Sequence, residues 1–159
     1  MVMFESCHTA SEVAYVYRRM GIPVSVTLDR VAVIADPTVG AVAMPARLGR
    51  LVYPVLLEDS RCESVPILTH ARSRHEEWVF LVGPAWGGQI GYRTLNSLRE
   101  RGIRLLDSGQ RVWLPMSDHP TGWRWISEPV EAKKKPSRTS VIAAARDLVG
   151  RAALSSAWT

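Results

Sequence analysis

VPILTHARSRHEEWVFLVGP, Val65 to Pro84, decides the fold class. Two apolar runs, residues 65–70 and 78–83, flank the charged segment ARSRHEE at 71–77. Short β-branched and aromatic runs on either side of a polar connection predict an antiparallel hairpin. Upstream, residues 23–28 alternate and are β-branched, and 31–35 follow after Asp29-Arg30. This predicts a second hairpin. A further apolar strand is expected over 39–44.

Helices interleave with these strands. Residues 9–20 carry Val13, Val16, Tyr17 and Met20 on one face, with Thr9 or Ser11 as N-cap and Gly21 as terminator. Pro45 suits the first turn of a helix to about Glu58, and Pro54 should kink or shorten it. A short helix over 94–101 ends at Gly102. Short strands over 103–106, 111–114 and 122–127 complete the pattern, with a turn at Asp107-Ser108-Gly109. Hairpins mixed with single helices predict an α+β fold, a mostly antiparallel sheet with helices packed on it.

The expected organisation is one α+β domain over 1–127, a basic linker over 128–138 and an amphipathic C-terminal helix over 139–159. The linker EPVEAKKKPSR has two prolines and no apolar period. The helix carries Val141, Ala144, Leu148 and Leu154 in a stripe. It is expected either to dock on its own domain or to meet a protein partner.

The chain has 159 residues, 47% hydrophobic and 22% charged, an ordinary globular composition. No apolar run reaches the roughly 18 residues of a membrane span. The N-terminus lacks a basic region before an apolar stretch. A cytoplasmic protein without a membrane partner is therefore expected. Cys7 and Cys62 form no framework and read as reduced thiols. The net charge of +5 permits a nucleic-acid partner without demanding one. Lys133, Lys134 and Lys135 are the only lysines, and every other cationic residue is arginine.

Most catalytic patterns are missing. The loop Gly83-Pro-Ala-Trp-Gly-Gly88 has no Lys-Ser/Thr after it and no GxGxxG spacing. Cys62, His70 and His75 do not have zinc spacing. There is no GxSxG. Asp29, Asp36, Asp59 and Asp107 fall in turns, and Glu76 and Glu77, being adjacent, point to opposite faces of a strand. What remains is basic and aromatic: the turn Arg72-Ser73-Arg74-His75, Arg111 and Trp113 on one strand face, and Trp123 and Trp125 with Arg124 opposite. Such a surface can stack bases and hold phosphates; the same tryptophans could equally fill a core.

Three stretches, VGAVAMPARLGR (39–50), HARSRHEEWVFLVGP (70–84) and LDSGQRVWLPMSDHPTGWRW (106–125), resemble the prim-pol domain of the bifunctional primase–polymerases. These belong to the archaeo-eukaryotic primase superfamily, and the likeness is to the short, divergent actinobacterial versions. The resemblance covers residues 27–127 and implies a primase-polymerase/RRM-like core. It implies nucleotide or nucleic-acid binding by Ser73 and His75, with Arg72 or Arg74 adding charge. Ser117 and His119, with Arg111 and Arg124, would belong to the same nucleotide-binding side. The family's metal-binding acids are replaced: Val42, Ala43 and Met44 stand at the first motif and Arg104 near the third. Without those carboxylates no Mg²⁺ pair is held. The resemblance therefore implies a catalytically degenerate domain, with no catalytic residue, metal or cofactor. A protein-interaction adaptor is the alternative, and an active DNA primase/polymerase using Mg²⁺ the second alternative. The oligomeric state is left open.

Overall fold

A computed structural model describes residues 3–70, 74–87, 89–118, 122–131 and 133–157. The chain is α+β, with four helices and two antiparallel sheets. In chain order the elements are α1 (Ala10–Arg19), β1 (Ser25–Thr27), β2 (Arg30–Ile34), β3 (Gly40–Pro45), α2 (Ala46–Leu57), β4 (Ile67–His70), β5 (Glu77–Val82), α3 (Tyr92–Arg99), β6 (Arg104–Leu106), β7 (Arg111–Trp113), β8 (Trp123–Ser127) and α4 (Arg138–Ala157). The larger sheet has the order β6-β3-β5-β4-β8 and the smaller β1-β2-β7.

β3 and β5 lie inside the larger sheet, and their near-continuous apolar sequences follow from that. Period-2 geometry sends alternate side chains to opposite faces, and both faces are covered. Ala41, Ala43, Leu68, Val79 and Leu81 meet α1 and the inner face of the small sheet, Val31, Val33 and Val112. Val42, Met44, Ile67, Phe80 and Val82 meet the helical layer. The result is three layers: α1 with the small sheet, the five-stranded sheet, then α2, α3 and α4.

Local signals place the helix ends. Thr9 caps α1: its Oγ1 accepts from Glu12 N at 3.2 Å, and Glu12 reaches back to accept from His8 N at 3.2 Å. This is a capping box. Gly21 and Gly102 close α1 and α3 at φ +84° and +81°. In the first hairpin, Leu28 and Asp29, not Asp29 and Arg30, form the turn, both at positive φ. A two-residue loop with that geometry matches the twist of its strands. α2 continues through Pro54 to Leu57. The carbonyl that proline leaves without a helical donor belongs to exposed Arg50, where water can serve it.

The turn after β6 does not make a hairpin. It carries the chain from one sheet to the other: β6 pairs with β3, whereas β7 pairs with β2. Asp107-Ser108-Gly109 is the crossing point, with Gly109 at φ +79° donating to Ala35 O at 2.8 Å.

The lysine-bearing segment before α4 lies against the body. Glu63 N and Ser64 N both donate to Lys134 O, Lys134 N donates to the Glu63 carboxylate at 2.8 Å, and Gly83 N donates to Pro136 O at 2.9 Å. α4 docks on its own chain, burying Val141, Ile142 and Ala145 against the helical-layer core. Burying each of the two larger side chains is worth roughly 1.5–3 kcal/mol. Arg138, the first residue of α4, is 5% exposed at its side chain. It donates to the carbonyls of Gly83, Asp36 and Pro37 at 2.9–3.1 Å. Gly40 permits that approach. A Cβ there would lie 2.5 Å from Leu106 O and 3.2 Å from Arg138 Nη2.

Candidate functional site: an arginine–tryptophan cleft between the sheets

A cleft of about 320 Å³ opens where the small sheet leans over one end of the large one. Its floor is a row of strand-end residues on the face of the large sheet that meets the small one: His70 from β4, Glu77 and Val79 from β5, and Arg104 and Leu106 from β6. Its walls are Gln110 to Trp113 on one side and Trp123 on the other. Antiparallel register creates this row. His70 pairs with Trp123, Ala43 with Arg104 and Pro45 with Glu77, so the polar first or last residues of several strands converge.

Charge in the cleft is organised around one carboxylate. Glu77 Oε1 accepts from Arg104 Nη2 at 2.9 Å. The neighbouring Glu76 points to the other face and meets Arg50 at 3.5 Å. The opposite facing of these two glutamates is thus as the sequence implies. Across the mouth, the guanidiniums of Arg30 and Arg111 lie 4.4 and 5.3 Å from the Trp113 ring centroid. Cation–π contact holds both groups in place. His70 meets Trp123 edge to face, with centroids 4.9 Å apart.

Trp125 is structural. Its Nε1 donates to Tyr17 Oη at 3.0 Å, and the Tyr17 hydroxyl donates to Pro115 O. Burial raises the Tyr17 pKa, so this residue holds its proton and ties α1, the loop after β7 and β8 together. The same loop is tied to the N-terminus by Asp118, whose carboxylate accepts from Met3 N and Phe4 N, each at 2.9 Å.

The residues expected from the sequence are distributed unevenly. Arg111 lies at the cleft. Arg74 and His75 are exposed in the turn before β5, so His75 stands off the strand rather than on it. Ser117 is exposed in the loop after β7. Arg124 lies on β8 between Trp123 and Trp125, on the face shared with Ile126, and turns away from the cleft toward the helical layer. Arg72, Ser73 and His119 lie outside the described residues.

Sequence reading did not select Arg30, His70, Glu77 or Arg104 as binding residues, having weighed His70 and Glu77 only as metal ligands. Their common signal is position, a polar residue ending or starting an apolar strand. Only the pairing of strands far apart in the chain makes them neighbours. Among the described residues, no group of three or more His, Cys, Asp or Glu is close enough to hold a metal ion. Cys7 and Cys62 are free thiols, and burial raises the pKa of each. No helix among the described residues is long and apolar enough to cross a membrane. Compared with protein-family models, curated proteins and solved structures, the chain matches none.

Proposed function

We propose that this chain is a primase–polymerase-like domain that binds single-stranded nucleic acid in the cleft between its sheets without extending it. One observation carries the reading: Arg30, Trp113 and Arg111 form a stacked cluster at the mouth of a cleft that also holds His70, Arg104 and Trp123. Planar guanidiniums held on an aromatic ring present forked donors to phosphate and flat surfaces to bases. Among the described residues, the one carboxylate lining the cleft, Glu77, is engaged with Arg104. Of the positions where a copying enzyme would carry the acids that cage Mg²⁺, Ala43 offers the cleft side only a methyl group, Val42 and Met44 face the helical layer, and Arg104 is a cation. The cleft therefore suits binding better than phosphoryl transfer.

Anisotropy of a labelled single-stranded oligonucleotide tests this. Binding is expected to weaken steeply between about 50 and 200 mM salt, because phosphate contacts release counterions. Arg111→Ala and Arg30→Ala should each lower affinity and flatten that salt slope by about one unit. Absence of binding at low salt, or binding indifferent to both substitutions, would sink the reading.

A second reading, a protein-interaction adaptor, is favoured by one observation. Leu51, Val55 and Leu57 of α2 are 55%, 45% and 59% exposed beside the docked α4. If that face serves a partner, Leu51→Glu should abolish complex formation while leaving oligonucleotide binding intact.

A further inference from the structure

We propose that the pocket beneath the lysine segment 133–135 binds the clustered phosphates of a small molecule, a nucleoside di- or triphosphate or an inorganic polyphosphate. It lies at the end of β5 remote from the cleft, and the inference stands apart from nucleic-acid binding there.

The chain uses arginine almost everywhere, yet its only three lysines stand together and all line one cavity of about 540 Å³. Arg61 joins them on its wall, with the hydroxyl residues Thr38 and Ser60. Lysine is a compact point charge with three rotatable donors, suited to phosphate oxygens in varied positions. The backbone that carries the lysines is pinned. Lys134 is bonded through both its N–H and its carbonyl to the 63–64 segment, and Pro136 O is held by Gly83 N. The lysines therefore project from a fixed strap, which lowers the ordering cost of binding.

Among the described residues, charge in the pocket is compensated only at Arg61. Four cations line it with one carboxylate, Glu63. Asp59 is already held by Arg61 at 3.1 Å, and Glu63 accepts from a backbone N–H. Among the described residues, no carboxylate pairs with Lys133, Lys134 or Lys135. Arg61 is fixed on its other side by the Trp86 ring, 4.1 Å from the guanidinium carbon. Lys135 is half-buried, and desolvation lowers its pKa. A cation buried without a partner opposes folding, and an anion in the pocket would supply the missing counter-charge. The pocket lies about one strand length, roughly 17 Å, from the cleft. Three adjacent lysines on one cavity suit a ligand whose phosphates are clustered.

Calorimetric titration of the full chain with sodium tripolyphosphate, ATP and AMP tests this. Tripolyphosphate, ATP or both should bind, AMP at least tenfold more weakly, and Lys133→Met/Lys134→Met/Lys135→Met should lower the affinity at least tenfold. ATP binding tighter than tripolyphosphate would identify a nucleotide as the ligand, and equal binding the phosphate chain alone. The triple Lys→Gln variant serves the same purpose if the Met variant does not fold. Arg111→Ala should leave this binding unchanged, and the lysine variants should leave oligonucleotide binding within twofold. The proposal falls if neither polyphosphate binds, if AMP binds as well as ATP, or if the lysine variants bind as wild type. It also falls if they lose oligonucleotide binding as Arg111→Ala does, since the pocket would then be part of the strand's path.

Discussion

β5 has a cavity at each end, an arginine–tryptophan cleft and a lysine-lined pocket, and the two are built on opposite principles. At the Glu77 end, cations are arginines, each stacked or paired: Arg104 on Glu77, and Arg30 and Arg111 on Trp113. At the Gly83 end, the cations facing the pocket are chiefly lysines without carboxylate partners among the described residues, displayed on a backbone pinned through Lys134 and Pro136. Just behind them sits Arg138, buried, donating to three carbonyls and paired at 3.9 Å with Asp107. Charge stabilises the fold where its partners are within the chain. Where they are missing, a cation is either left to solvent, as at exposed Lys133 and Lys134, or held at a cost to stability, as at half-buried Lys135.

Substitutions can break or sharpen this contrast. The largest effect is expected from Arg138→Met. It removes the donor to three carbonyls at the junction of β3, β5 and α4, and should destabilise by about 3–5 kcal/mol in a denaturant titration. A cost below about 1 kcal/mol would place Arg138 among the dispensable cations. At the cleft end, Tyr17→Phe deletes one hydrogen bond given and one received in the core beneath Trp125, for about 2 kcal/mol. Near-neutral stability would mean that packing alone fixes β8.

Lys135→Met should have a small effect of the opposite sign. Because burial lowers the lysine's pKa in the folded chain, the unfolded chain binds more protons at and below the ordinary lysine range. Stability then rises with pH. Replacing the cation with an isosteric apolar side chain should leave the melting temperature unchanged or raise it at neutral pH, while weakening polyphosphate binding. A fall in melting temperature would make Lys135 structural.

The smallest effect concerns acid. The Thr38 hydroxyl, then the Val39 and Thr38 backbone N–H groups, hold the Asp36 carboxyl below its usual range. A depressed carboxylate stabilises the fold above its unfolded pKa and ceases to do so as pH falls through the folded value. Asp36→Asn should therefore flatten the acid limb of the melting-temperature curve measured from pH 6 downward to about pH 3, the window set by ordinary carboxylate values. An unchanged limb would remove Asp36 from the acid response.

Much of the fold was legible in the sequence because it rests on local chemistry. Thr9 with Glu12 starts α1, and Gly21 and Gly102 end helices where only glycine is unstrained. The apolar runs flanking residues 71–77 form the expected antiparallel pair β4 and β5. The division into two sheets was not legible. The turn at Asp107-Ser108-Gly109 reads the same whether the chain returns on itself or crosses over. Arg138 looked like the end of a solvated linker, since nothing local marks a cation that finds its acceptors about a hundred residues away. His70, Glu77 and Arg104 likewise carry no motif.

The sequence by itself determined the class of the fold, its alternation of strands and helices, the scarcity of carboxylates suited to metal binding, and the odd isolation of three lysines. Those follow from side-chain period, backbone permission at glycine and proline, and residue identity, all of which act over a few residues. Tertiary structure alone decided which strand ends share a row, which arginines lie over Trp113, and that the lysine segment roofs a pocket. These depend on register between strands distant in the chain, where a shift of one residue exchanges the face of every side chain.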